Sequence, residues 1–276
     1  MKLLFLLTLV TYVAWSKPIV MISYFDAFHR ASFNNSETVA VALAQKLGSD
    51  SSPVSIALCP LNTIFDQAYA QTETCLKKLS QRPVMVVGLG ESSCDLKVET
   101  MVRNNDQTVG PDNAGIQRSD TSIIAGAPLV LGLRYPLPQM YCALTRSERN
   151  NIELSNFAGS FVCNNTAYQM SYYYSDIHYG FIHVPANNCT NLTGRTKSSI
   201  LMLEKMITQG ATYLSGELSE EDLPHTSNEV RLSVKKNEIK KLRRQYQENE
   251  CLEEYFKRVK GDDEKRIFQI RPALMN

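Results

Sequence analysis

Three short apolar segments near the start of the sequence alternate with two amphipathic helical patterns, and this alternation restricts the folds open to the chain. The apolar segments are Pro18–Tyr24, Val54–Leu58 and Val84–Val87, and the helical patterns span Ser36–Leu47 and Ile64–Leu79. Strands that alternate with helices commonly pair in parallel, because each helix provides the crossover that parallel strands require. The sequence therefore predicts an α/β fold, a three-layer α/β/α sandwich with a mixed, largely parallel central sheet.

Later segments continue this pattern less regularly. Lys97–Val102 predicts a strand or extended arm, and Phe157–Tyr174 predicts a turn leading into a helix. Gly180–Pro185 predicts a buried strand, and Ser198–Thr208 a last domain helix. Pro136 and Pro138 are expected to interrupt regular structure around them, because proline lacks a backbone N–H group.

The first segment, residues 1–16, has the composition of a secretory signal peptide. Lys2 gives a charged start, Leu3–Val13 is almost continuously apolar, and Ala14–Ser16 forms a small-x-small cleavage site. A buried first strand or a short anchor is the alternative interpretation. The apolar stretch is shorter than the roughly 18 residues of a membrane-spanning helix, so we expect no stable membrane insertion. We expect a mature chain that begins near Lys17 and is secreted or lysosomal.

The charge balance excludes one class of partner, and the charge distribution marks the end of the domain. The chain has 29 Lys plus Arg against 28 Asp plus Glu, and because the net charge is close to zero we expect no nucleic-acid binding.

Residues 216–276 are more highly charged, above all Val230–Arg258. A solvated helical extension is favoured there over a basic helix that binds a partner. The sequence thus predicts a folded domain over residues 17–215 and a charged helical C-terminal extension over residues 216–276.

Seven cysteines are expected to form up to three disulfides in an oxidising compartment, with one thiol left unpaired. The sequence alone does not identify the unpaired cysteine. No CxxC pair occurs, which gives little support for a structural zinc site, and we expect neither a metal site nor a cofactor. Glycosylation sequons occur at Asn34, Asn164, Asn188 and Asn191, of which the last two lie in a polar stretch typical of an exposed loop.

One cysteine and one histidine are placed where nucleophilic chemistry is feasible. Cys163 lies near the start of a predicted helix, where the thiolate form is favoured. His183 is the histidine set inside an apolar strand. Such a pair is weak support by itself, because a histidine in this position is equally compatible with a satisfied core residue.

Five local strings in a fixed order carry a more specific signal. They are FDAF at Phe25–Phe28, Glu99 with Asn104, PDNAG at Pro111–Gly115, AGSFVCN at Ala158–Asn164 and GFIHVP at Gly180–Pro185. Together they resemble the pyroglutamyl peptidase I (pyrrolidone-carboxylate peptidase) family of cysteine peptidases, over roughly Ile19 to Gly210. The resemblance implies a phosphorylase/hydrolase-like fold and hydrolysis of the N-terminal pyroglutamyl residue of peptides through a thioester intermediate.

The resemblance also implies roles for individual residues. Cys163 matches the family nucleophile, His183 the base, and Glu99 the carboxylate that orients the histidine. The residues implied to enclose or bind the lactam ring are Phe25, Phe28, Asn34, Phe161 and Val162. A pocket of this composition suits a neutral lactam, because it is apolar with few fixed polar groups. Since Asn34 and Asn164 belong to this site, we expect their sequons to remain unmodified.

Two positions depart from the pattern of bacterial members and keep alternatives open. Leu89 stands where those members carry Gln, and Val109 stands where they carry Arg. If that Arg stabilises the oxyanion, backbone N–H groups around Cys163 must serve instead, at a cost of about 10²–10³ in rate. The alternatives are a catalytically inactive secreted protein that binds pyroglutamyl peptides and a homologue of altered specificity. Nothing in the sequence predicts the oligomeric state.

Overall fold

The computed structural model describes residues 17–28, 31–108, 110–217 and 250–260. The predicted signal peptide, Val109 and most of the C-terminal extension lie outside these ranges. Among the helices of the described ranges, none combines the length and apolarity needed to cross a bilayer.

A six-stranded sheet with the order β2-β1-β3-β8-β4-β7 forms the centre of the domain, and β5 pairs with β6 in a separate two-stranded sheet. The strands are β1 (Ile19–Phe25), β2 (Ser55–Leu61), β3 (Met85–Glu91), β4 (Leu96–Glu99), β5 (Met101–Arg103), β6 (Val130–Gly132), β7 (Ile152–Ser155) and β8 (Tyr179–Val184). Strands β2, β1, β3 and β8 run parallel to one another, whereas β4 is antiparallel to β8. The predicted mixed, largely parallel sheet is confirmed.

Helices cover both faces of the sheet. They are α1 (Asn35–Leu47), α2 (Gln67–Lys78), α3 (Leu137–Cys142), α4 (Arg146–Arg149), α5 (Val162–Tyr173), α6 (Leu192–Glu217) and α7 (Glu250–Lys260). One apolar core joins the sheet to α1, α3, α6 and α7 and contains Val20, Val39, Met140, Leu203 and Tyr255. The other joins it to α2 and α5 and contains Met21, Ala68, Ala167, Tyr168 and Phe181. Alternate residues of β1 and β8 therefore point into different cores, as the period of a strand requires.

Several predicted elements differ in extent from the observed ones. The expected interruption at the two prolines is wrong, because Pro136 is the N-cap of α3 and Pro138 lies in its first turn. Proline is tolerated there, since the first helical N–H groups have no intrahelical acceptor. Strand β7 was not predicted, and α6 is longer than Ser198–Thr208.

All seven cysteines lie in the described ranges, and six of them form disulfides. The pairs are Cys59–Cys75, Cys94–Cys189 and Cys142–Cys251. Cys163 is left as the free thiol. The third disulfide connects α7 to α3, and Leu252 and Tyr255 of α7 are buried. The described part of the extension is thus packed against the domain, unlike the solvated helix that its charge predicts.

Candidate active site

The carboxyl ends of the parallel strands bring together several of the residues that the motifs single out. Phe25 is the last residue of β1, and Gly90 and His183 lie opposite each other near the ends of β3 and β8. Open α/β sheets bind ligands at this edge, where loops diverge and leave a crevice.

Cys163 reaches this edge from the first turn of α5. Phe161 is the N-cap, and the first backbone hydrogen bond of the helix runs from the N–H group of Asn165 to the Phe161 carbonyl. The N–H groups of Val162, Cys163 and Asn164 therefore have no intrahelical acceptor. They and the positive end of the helix dipole favour negative charge next to the sulfur.

Asn164 fixes the start of α5 to strand β5 and the residues after it. Its side-chain oxygen accepts from the Arg103 N–H group at 2.9 Å, and its amide nitrogen donates to the carbonyls of Arg103 at 2.8 Å and Asn105 at 3.0 Å. The residue is fully buried. These three hydrogen bonds hold the turn that presents Cys163, a role that sequence reasoning did not assign.

Glu99 and His183 form a buried pair across strands β4 and β8. The Oε1 atom of Glu99 lies 2.8 Å from Nδ1 of His183. Lys97 pairs directly with His183 in the antiparallel register. Glu99, two residues further along β4, is consequently on the same sheet face as His183 and diagonal to it. The Sγ atom of Cys163 lies over Gly90, the residue that pairs with His183 across β3 and β8, and so is next to the same imidazole.

The electrostatics of this group favour an imidazolium. Burial of the ring opposes the positive charge, but the hydrogen bonds and charges of Cys163 and Glu99 outweigh it and raise the pKa of His183 from 6.5 to about 9. Since Glu99 binds Nδ1, the thiol side of the ring presents Nε2. The arrangement can hold an imidazolium beside the Cys163 sulfur, so that the ring can donate a proton during a reaction of that sulfur.

An aromatic wall stands beside the thiol. The ring centroid of Phe161 lies 4.9 Å from that of Phe28 and 5.2 Å from that of Phe65. Phe28 and Phe161 are part-exposed, whereas Phe65 is buried behind them. Arg118 covers Phe65, with its guanidinium carbon 4.5 Å from the ring centroid. Sequence reasoning missed Phe65, although its place just after β2 puts it at the same edge of the sheet.

Two residues predicted to line the pocket are completely buried. Phe25 is 1% exposed, and its ring centroid lies 6.4 Å from that of Phe181. Phe181 in turn contacts the His183 ring edge-on, with 5.0 Å between the ring centroids. Val162 is 0% exposed and lies in the core between α5 and the sheet. Both side chains therefore pack in the core beneath the residues that surround the thiol, and neither is open to a ligand.

Asn34 lies at the N-terminus of α1, where most of its hydrogen-bonding capacity is used. Its side-chain oxygen accepts from both the backbone N–H and the hydroxyl of Ser36, at 3.0 and 2.7 Å. Its amide nitrogen donates to the Asp26 carbonyl at 3.0 Å. One amide hydrogen remains for a ligand. This N-cap explains why Asn34 is buried, and its contact with a substrate stays a prediction.

The PDNAG string holds the loop that carries Phe28. The Asn113 amide donates to the Ala27 carbonyl at 2.8 Å and to the Asp26 carboxylate at 3.2 Å. The neighbouring Asp112 accepts from the backbone N–H of Phe65 at 2.9 Å. The string therefore fixes both sides of the aromatic wall. Leu89, one of the two positions that differ from the pattern of bacterial members, is fully buried in the core that contains α1 and α6.

No group of three or more His, Cys, Asp or Glu side chains in the described ranges is arranged to hold a metal ion. A cavity of about 490 Å³ exists elsewhere, between β4, β7 and α6, and is lined by Asp95, Ile152, Arg195 and Met202 among others. None of the predicted site residues lines that cavity.

Residues 19–211 match the model of the family described as pyroglutamyl peptidase, and this is more than half of the chain. The chain belongs to the pyroglutamyl peptidase family. The family expected from the ordered motifs is thereby confirmed.

Two similar curated relatives are bacterial proteins. The pyrrolidone-carboxylate peptidase of Pseudomonas fluorescens is 33% identical over 175 residues, which cover 60% of this chain and 78% of the relative. The pyrrolidone-carboxylate peptidase of Aliivibrio fischeri is 28% identical over 172 residues, covering 60% and 77%.

Solved structures of pyroglutamyl peptidases share the fold. Pyroglutamyl peptidase I from Bacillus amyloliquefaciens superposes with a TM-score of 0.61 at 23% identity, over 71% of this chain and 98% of that one. A mutant pyrrolidone carboxyl peptidase from Pyrococcus furiosus gives a TM-score of 0.60 at 21% identity, over 71% and 99%. The similarity is consistent with the α/β fold described above.

Proposed function

We propose that this member of the pyroglutamyl peptidase family is a cysteine exopeptidase that hydrolyses the N-terminal pyroglutamyl residue from peptides, with Cys163 as nucleophile, His183 as acid and base, and Glu99 as the orienting carboxylate. The observation that carries the proposal is one imidazole bound on Nδ1 by Glu99 at 2.8 Å, with the free thiol of Cys163 beside it over Gly90.

Acylation begins from a Cys163 thiolate and a His183 imidazolium. The thiolate of Cys163 attacks the carbonyl carbon of the pyroglutamyl residue, and the carbonyl electrons form a tetrahedral oxyanion. N–H groups at the start of α5, which have no intrahelical acceptor, are available as fixed donors for that charge. When the intermediate collapses, the C–N bond breaks and Nε2 of His183 gives its proton to the leaving amine.

Deacylation reverses the role of the imidazole. The now neutral His183 takes a proton from water as the water oxygen attacks the thioester, and pyroglutamate leaves as the sulfur regains the pair of electrons. Glu99 holds Nδ1–H throughout, so that Nε2 stays aimed at the reacting atoms. Phe28 and Phe161 offer the part-exposed apolar surface that suits the lactam ring.

The free thiol favours this proposal over an inactive binding protein. Seven cysteines leave one unpaired in any pairing, and an inactive binding protein would tolerate Cys163 in a disulfide as well as any other cysteine. Instead, the other six cysteines pair among themselves. The same three disulfides support secretion or a lysosomal location, because disulfides persist in oxidising compartments.

The test is release of a coumarin amine from pyroglutamyl-aminomethylcoumarin by the purified mature protein. We expect release that is lost after alkylation with iodoacetamide and in the variants Cys163→Ala and His183→Ala. His178→Ala is the matched control, because His178 is bound to the Arg134 carbonyl away from the thiol. The corresponding prolyl amide, which lacks the lactam carbonyl, is expected not to react. Unchanged turnover in His183→Ala, or no release by the wild type, overturns the proposal.

A further inference from the structure

Helix α7 lies beyond residue 211, where the match to the family ends, yet it is anchored to the domain by a covalent bond and by charge. The Cys142–Cys251 disulfide joins it to α3. Glu254 of α7 forms an ion pair with Arg149 at 3.0 Å, and Arg258 donates to the Asn150 side chain at 2.8 Å. These contacts determine where the apolar side of α7 faces.

The apolar side of α7 inserts Tyr255 into the core that contains α3 and α6. Tyr255 is 7% exposed, and its ring centroid lies 5.5 Å from that of the fully buried Tyr141. The same core contains Tyr135, which is 5% exposed. Tyr135 directly precedes Pro136, the N-cap of α3, so the helix that α7 packs against begins next to Tyr135.

Tyr135 crosses strand β8 and reaches the backbone of the candidate catalytic carboxylate. Its ring lies against Gly180, where a Cβ atom would be only 2.2 Å from the ring. Its hydroxyl donates to the Glu99 carbonyl at 2.8 Å. This hydrogen bond holds the last residue of β4 from the sheet face opposite to His183. A short strand end with a buried carboxylate needs such support, because the Glu99–His183 hydrogen bond tolerates little displacement.

We propose that α7 is a positioning element for the active site, in which Tyr255 holds α3 and the adjoining Tyr135, and Tyr135 holds Glu99 in register with His183. The inference rests on the proposed role of Glu99. It gives the tethered C-terminal helix a task that the family fold by itself does not supply. Tyr135 and Tyr255 are positioning residues, since neither contacts the thiol or the aromatic wall.

The experiment compares four single variants and one double variant of the mature protein by NMR titration of the His183 imidazole, together with the pH profile of pyroglutamyl-amide hydrolysis. Tyr255→Ala and Tyr135→Phe are expected to lower the His183 midpoint, about 9 in the wild type, by about one pH unit, because a displaced Glu99 supports the imidazolium less. Hydrolysis is expected to lose about tenfold in kcat with little change in KM.

The matched controls separate positioning from stability. Leu252→Ala removes another buried side chain of α7, one outside the core that contains Tyr135, and is expected to lower Tm without moving the midpoint. Tyr255→Phe keeps the ring and is expected to behave as the wild type. In the double variant Tyr255→Ala/Tyr135→Phe, the two shifts of the His183 midpoint are expected not to add, because both substitutions act through the hydrogen bond of Tyr135 to Glu99.

The outcomes are distinct. If Tyr255→Ala and Leu252→Ala titrate alike, or if Tyr135→Phe keeps the wild-type midpoint, the inference is wrong. Should Tyr255→Ala fail to fold, Tyr135→Phe still decides, because it removes a single hydroxyl. A wild type that shows the expected midpoints without hydrolysing the amide refutes the proposed function and leaves the positioning chain standing.

Discussion

The sulfur of Cys163 occupies the space that a side chain at Gly90 would fill. A Cβ atom at Gly90 would lie 2.8 Å from Sγ and 3.1 Å from Cζ of Phe181. Gly90 also pairs with His183 across β3 and β8. The glycine is therefore what allows the thiol from α5 and the imidazole from β8 to meet over the same strand.

Gly90→Ala is accordingly expected to lower kcat/KM by about 10²-fold, because the added methyl displaces the sulfur while the strand can keep its backbone hydrogen bonds. Gly132→Ala is the matched control, since a Cβ atom there meets nothing within 4 Å. Steady-state kinetics with thermal melting of both variants provide the measurement. Equal activity in the two variants would contradict the close approach.

The pH dependence of hydrolysis follows from the raised pKa of His183. The imidazole must be protonated to assist the leaving amine, so kcat/KM is expected to fall with rising pH at a midpoint of about 9. Glu99→Gln removes a negative charge that favours the imidazolium, and the alkaline limb is expected to move toward lower pH. A limb that stays in place in Glu99→Gln would exclude the carboxylate from this role.

The aromatic wall is expected to act mainly on substrate binding. Phe161→Ala removes the ring that touches both Phe28 and Phe65, and KM is expected to rise about tenfold, in keeping with about 1–1.5 kcal/mol for an aromatic contact. Phe157→Ala serves as the control, because Phe157 is 52% exposed and its ring faces Arg103. A fall in kcat with unchanged KM would place the lactam elsewhere.

Glycan occupancy is expected to follow burial. Asn34 and Asn164 are buried with amide nitrogens that already donate to backbone carbonyls, whereas Asn188 and Asn191 are exposed. Glycopeptide mapping of protein expressed through a secretory pathway is expected to find glycans at the latter two positions alone. A glycan on Asn164 would be incompatible with the observed start of α5, because it requires the hydrogens that bind Arg103 and Asn105.

The strands that run through the middle of the domain could be predicted because their sequences are simple. Segments such as Val84–Val87 are continuously apolar, since a strand covered by helices on both faces has no solvated side. Strand β7 was missed because Glu153 interrupts a segment of four residues. Helix α3 was missed because Pro136 and Pro138 break helices everywhere except in the first turn, and only the observed helix start shows which case applies.

Among the site residues, the motifs indicated which side chains carry chemistry but not how each one is held. Asn34 was predicted as a ligand contact, and the structure shows it as the N-cap of α1. The one local signal for Phe65 is its place after β2, and Tyr135 carries no local signal. Their roles depend on contacts with Phe161 and Glu99, which are far from them in sequence.

By itself, the sequence determined the α/β alternation, the order of the motifs and the odd number of cysteines, because periodicity and composition are local properties. The resemblance also implied the roles of Cys163 and Glu99, but only the tertiary structure showed that the other six cysteines pair and that Glu99 lies 2.8 Å from an imidazole 84 residues away. The physical reason is that strand order and disulfide pairing arise when both faces of the sheet are buried together. The free energy of this burial is shared among residues from the whole chain, so it cannot be read from any one segment of the sequence.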